Sequence, residues 1–63
     1  MRYVIVKFPH KNYVPVEGEQ VFESDDLDDI ARYLERPTAG FGFYVAYDFA
    51  LGGGQVGSRE IQG

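Results

Sequence analysis

The chain of 63 residues has no cysteine and no tryptophan, one histidine, and six lysines and arginines against ten aspartates and glutamates. Each shortage removes chemistry. Without cysteine there can be no disulfide staple, thiolate metal centre or thiol nucleophile. Small extracellular domains usually carry such staples, so their absence points to a reducing cytoplasm. The lone histidine, His10, sits beside Pro9 in a predicted loop, and Ser24 and Ser58 have no evident base partner. A two-carboxylate mechanism needs a concave cleft, which a domain this small can hardly enclose. The expectation is therefore a protein that is not an enzyme and has no cofactor or metal. No run approaches the roughly 20 apolar residues of a membrane span. Lys7 interrupts the apolar stretch at the N-terminus, which therefore reads as a strand rather than a signal peptide.

What is present is enough apolar material to fold. Hydrophobic residues make up 44% of the chain and aromatics 16%, well above the content of a disordered acidic tail. A chain of this size buries only about 60% of its unfolded surface, and large rings compensate by burying much area each. Residues 1–63 are expected to form one domain.

The acidity is regional. Between Glu17 and Glu35 lie Glu17, Glu19, Glu23, Asp25, Asp26, Asp28, Asp29 and Glu35 with one base, Arg32, a local net of −7. Arg2, Lys7, Lys11, Arg36 and Arg59 outweigh Asp48 and Glu60 elsewhere by +3, which gives the overall −4. Such a surface repels nucleic-acid phosphates and attracts a basic partner.

Residues 2–8 are β-branched and aromatic and predict a central strand. Tyr13-Val14-Pro15-Val16-Glu17 reads as a second strand, at an edge or bulge because Pro15 lacks an N–H. Gly18-Glu19 then suggests a type II′ hairpin into Gln20-Val21-Phe22-Glu23. Ser24 or Asp25 is a fitting N-cap for a helix of about 12 residues that Pro37 stops. Leu27, Ile30, Ala31 and Leu34 fall on one helical stripe, and Asp28 and Arg32 are spaced as an ion pair. From Phe41 to Phe49 the alternation places Phe41, Phe43, Val45, Tyr47 and Phe49 on one face, the expected bed for the helix. Residues 52–63 are glycine-rich at their start and read as a flexible segment or a short edge strand. The expected fold is two-layer α+β, an antiparallel sheet in the order β-β-β-α-β, with a possible last edge strand and one helix on one face.

Three motifs invite specific chemistry. Ser24 to Ile30 is rich in aspartate but lacks the alternation and glycine of a calcium loop. Gly52-Gly53-Gly54-Gln55-Val56-Gly57 matches the dinucleotide glycine pattern, but the six residues that follow Gly57 hold neither the helix nor the distant acid it requires. Gly40-Phe41-Gly42-Phe43 resembles the core of the RNP1 motif of RNA-recognition domains, with Ala39 and Ala46 at its basic and later aromatic positions. That resemblance implies a single-strand RNA binder using Phe41 and Phe43, as the alternative to aromatics that line a core.

The helix dipole accounts for part of the acidic segment, since Asp25, Asp26 and Asp28 lie near its N-terminus and Arg32 and Arg36 near its C-terminus. It does not account for Glu17, Glu19 and Glu23. Carboxylates four apart on a helix are about 6 Å apart along its axis, a spacing comparable to that of phosphates along a strand. In size, acidity and lack of cysteine the chain resembles phage-encoded inhibitors, including DNA-mimicking anti-CRISPR proteins. The resemblance implies competition. Glu17, Glu19, Glu23, Asp25, Asp26, Asp28 and Asp29 would occupy lysines and arginines that otherwise hold DNA, with Tyr33 as an exposed anchor. The partner is then the basic surface of a larger nucleic-acid-binding complex in the cytoplasm, the chain itself being a monomer or small homo-oligomer that touches neither nucleic acid nor membrane. An antitoxin-like assembly adaptor is the third expectation.

Overall fold

β-Branched and aromatic residues dominate the strand that organises the molecule, Tyr3–Phe8 (β1). A computed structural model describes residues 2–11 and 15–61. After β1 come Glu19–Ser24 (β2), the helix Leu27–Glu35 (α1), Gly42–Asp48 (β3) and Gly54–Ile61 (β4), with short 3-10 turns at Pro15–Glu17 and Phe49–Leu51. The strands form one antiparallel sheet in the order β2-β1-β3-β4. This is the expected two-layer α+β architecture, and the last strand is a full eight-residue edge. Among the described residues no helix is long and apolar enough to cross a membrane.

The segment ahead of β2 departs from expectation. Pro15–Glu17 is a 3-10 turn, closed by the Gly18 N–H donating to the Pro15 carbonyl at 3.1 Å. Gly18 is not among the residues with positive φ, so it does not take the leading position of a type II′ turn. Tyr13 and Val14, the start of that expected strand, lie outside the described residues. The order within the described residues is therefore β-β-α-β-β.

The helix is shorter than expected and its cap lies one residue later. Asp26 is the N-cap, its carboxylate accepting from the Asp28 N–H at 2.9 Å. Ser24 instead accepts from the Asp26 N–H and donates to Asp29, both at 3.0 Å. The helix ends before Pro37, where the Arg36 N–H reaches back to the carbonyls of Arg32 and Tyr33. Arg32 pairs with Asp29 at 2.6 Å and with the Asp28 backbone carbonyl, not with the Asp28 carboxylate.

The core lies between α1 and the sheet: Tyr3, Ile5, Ile30, Tyr44 and Ala46 are buried, with Val21, Phe22, Tyr33, Leu34 and Ile61 packed around them. The face of β3 beneath the helix is thus the one carrying Tyr44 and Ala46, opposite to the sequence reading. Phe43, Val45 and Tyr47 point to the other side, across from Phe8, Val6 and Val4 of β1. Val4, Phe8 and Val45 are buried there too. Gly18 explains part of that cover, because a Cβ built on it would lie 2.8 Å from Val6 Cγ1 and 2.9 Å from Phe8 Cε1. The helical stripe also shifts. Ile30, Tyr33 and Leu34 face inward, while Leu27 and Ala31 are exposed. The helix begins three residues beyond β2, so its first turn sits at the margin of the sheet.

Candidate protein-docking face

Strand β2 is an edge of the sheet, so its outer backbone is open to solvent and its charges sit where association with other strands would begin. Glu19 and Glu23 lie on that strand and Glu17 in the turn leading to it; all three are exposed. Glu17 and Glu19 line one hollow with Lys7, Pro9 and the exposed ring of Phe41. Glu23 accepts a hydrogen bond from Gln20 at 3.0 Å. Asp28 is exposed on the first turn of α1. Among the described residues the carboxylates of Glu17, Glu19 and Asp28 make no hydrogen bond or ion pair.

Three further acids of the segment have internal work. Asp25 accepts from the Arg2 backbone N–H at 2.9 Å, Asp26 caps the helix, and Asp29 joins Ser24 to Arg32. The seven expected docking carboxylates thus divide into structural ones (Asp25, Asp26, Asp29) and open ones (Glu17, Glu19, Glu23, Asp28). Tyr33 is half-buried rather than freely exposed. Its ring stacks on Phe22 with centroids 4.7 Å apart and meets Tyr44 edge-on at 6.2 Å. Among the described residues, its hydroxyl is met by Thr38, which donates at 3.5 Å.

Behind the acidic side lies one buried carboxylate, Asp48, at the end of β3. Arg2 donates to it through Nε at 3.1 Å and Nη2 at 3.2 Å, and the Ala50 N–H adds a third bond at 2.9 Å. The Arg2 guanidinium, helped by that backbone N–H, holds the Asp48 carboxyl below the usual carboxylate range, although burial opposes the shift. Burial raises the Tyr44 hydroxyl above the usual tyrosine range, and that hydroxyl donates to the Gly40 carbonyl. Neither group titrates near neutrality. Among the described residues no three histidine, cysteine, aspartate or glutamate side chains are arranged to hold a metal ion.

The other edge has a different character. A hollow of about 340 Å³ beside β4 is lined by Lys11, Phe43, Ser58, Arg59 and Glu60, and Lys11 lies 3.9 Å from Glu60. Phe43 is half-buried there, and its neighbours on the same face, Phe8 and Val45, are buried, so these rings do not form the open platform on which RNA bases stack. The glycine-rich segment is no phosphate cradle either. Gly52 and Gly53 turn the chain with φ of 72° and 83°, and from Gly54 onward the residues are in β4.

Sequence reasoning missed the exposed apolar residues Leu27, Phe49 and Leu51, having placed Leu27 and Phe49 on the core face. A signal was available. Asp48 followed by Ala50 two residues on is the spacing of an Asx-turn, which ends a strand and lifts the next residues off the sheet. No protein-family model matches the chain, and no curated protein and no solved structure is significantly similar to it.

Proposed function

We propose that this domain is a non-enzymatic inhibitor that sets its acidic edge against a basic, nucleic-acid-binding surface of a larger protein complex in the cytoplasm, in the manner of DNA-mimicking anti-CRISPR proteins. One observation carries the reading. Glu17, Glu19, Glu23 and Asp28 extend from an edge strand to the adjoining helix, and among the described residues none of the four is held in an ion pair. Exposed carboxylates kept unpaired make the local potential more negative and steer a cationic partner, whereas ion-paired ones would not. A partner lysine or arginine that meets these carboxylates is no longer available to a phosphate, so inhibition is by competition.

The single-strand RNA reading has less support, because the Phe43 face is largely covered and Phe41 stands off the strand. The test uses the quadruple variant Glu17→Lys, Glu19→Lys, Glu23→Lys, Asp28→Lys, which spares the three structural aspartates. Immobilised wild-type protein should retain a DNA-binding protein from bacterial lysate, released by moderate salt and by added duplex DNA. The variant, shown folded by circular dichroism, should retain none. Equal retention by both proteins would overturn the proposal.

A further inference from the structure

The second feature of the acidic side is apolar. Leu27, Phe49 and Leu51 are 50%, 57% and 67% exposed. All three lie beyond the same end of the sheet, where β1 begins, β2 and β3 finish and β4 starts. Arg2 ties them into one neighbourhood. Its N–H donates to Asp25 at 2.9 Å, two residues before Leu27, and its carbonyl accepts from the Phe49 N–H at 2.8 Å. Asp25, Asp26 and Asp28 surround Leu27 in sequence, and the two arginines described at this end are each engaged by an acid, Arg2 by Asp48 and Arg32 by Asp29. This end of the sheet is thus capped by three exposed apolar residues, with three carboxylates flanking Leu27 in sequence.

Building on the acidic-docking reading, we infer that Leu27, Phe49 and Leu51, with Asp25, Asp26 and Asp28 at their side, receive the apolar face of a basic amphipathic helix of the partner protein. Charge selects this occupant. Nucleic acid and an anionic lipid surface are both repelled by the carboxylates, and a second copy of the chain would bring six aspartates together. A protein segment with leucines on one stripe and lysines or arginines beside it satisfies both halves of the cap. Shape selects it too. Three side chains expose on the order of a few hundred Å², far less than the roughly 800 Å² a globular partner covers. An extended peptide would add to a strand edge, but Phe49–Leu51 is a 3-10 turn and offers none.

The probe is an 18-residue synthetic peptide of leucine and lysine with leucines at helical spacing. Its control is an isomer of equal charge and composition with leucines and lysines in strand alternation. Wild-type protein should bind the helical peptide at least tenfold more tightly, measured by titration calorimetry, with amide shifts at residues 26–28 and 49–52. The double variant Phe49→Ser, Leu51→Ser should lose that preference yet keep equal, salt-sensitive affinity for the isomer. Equal binding of the two peptides to wild type, a preference unchanged in the double variant, or amide shifts confined elsewhere would each overturn the inference and leave the acidic edge standing. Unchanged lysate retention by the quadruple lysine variant would instead overturn the acidic-docking reading on which the inference rests.

Discussion

Arg2 and Asp48 form a two-point ion pair, Nε to Oδ1 at 3.1 Å and Nη2 to Oδ2 at 3.2 Å, that joins the start of β1 to the end of β3. The paired geometry fixes the guanidinium, and the remaining groups of Arg2 are used as well. Its N–H holds Asp25 ahead of the helix, its carbonyl holds Phe49, and its guanidinium carbon lies 5.0 Å from the Tyr3 ring centre. One residue thus fastens three segments that meet at the apolar end of the sheet.

Because the folded Asp48 carboxyl is held below its ordinary value, its contribution to stability has a defined sign with pH. It is fully present above the unfolded value of about 3.9. It is lost as pH falls from there through the lower folded value. Urea midpoints measured from pH 6 to pH 2 should therefore decline more steeply for wild type than for Asp48→Asn, which should already be less stable at pH 6. Parallel declines would show that the ion pair contributes nothing to the acid limb.

Gly18 is required for space rather than for a turn. A methyl group there would stand 2.8 Å from Val6 and 2.9 Å from Phe8, closer than side-chain atoms pack. Gly18→Ala should cost about 1–3 kcal/mol, the usual range for overpacking, read as a lower chemical-denaturation midpoint. The control is Gly52→Asn, at the left-handed cap with open space around it, where asparagine tolerates the positive φ of 72°. Its stability should fall by less than about 1 kcal/mol.

Much of this fold was legible in the sequence, and the errors have physical causes. β1, β2, the helix, β3 and the sheet-plus-helix layering follow from residue type and periodicity. The inward face of β3 did not, because β3 is a central strand whose two faces are both buried. Phe43, Val45 and Tyr47 on one side compete with Tyr44 and Ala46 on the other, and alternation alone cannot choose between them. Space decides: Ala46 and its partner Gly57 leave room under the helix, where Leu34 Cδ1 stands 3.3 Å from the Cβ position of Gly57. Bulkier Val45 and Tyr47 offer no such recess. In the acidic segment the sequence could count carboxylates, but hydrogen-bond partners divide the structural from the open ones, and those partners include Arg2, more than 20 residues away.

The shifted helical stripe can be checked directly. Tyr33→Ala removes the stack on Phe22 and the edge contact with Tyr44 and should cost about 2–3 kcal/mol. Tyr33→Phe keeps both ring contacts and should cost under about 1 kcal/mol. Leu27→Ala, at a half-exposed site, should change stability by no more than about 0.5 kcal/mol. A larger loss at Leu27 than at Tyr33 would restore the simple i, i+3, i+4, i+7 stripe.

The acids should separate into two groups when each is replaced alone. Asp26→Ala removes the N-cap acceptor of the Asp28 N–H and should lower stability by about 1 kcal/mol. Glu19→Ala removes an exposed carboxylate with no partner and should change stability by less than about 0.5 kcal/mol. Binding should rank differently. With a captured basic partner, Glu19→Ala should weaken retention and its salt dependence despite an unaltered melting curve, because the lost charge served only the outside. Were Glu19→Ala to leave retention intact while Asp26→Ala abolished it, recognition would depend on the geometry of the helix start, and the edge strand would carry no part of the docking face.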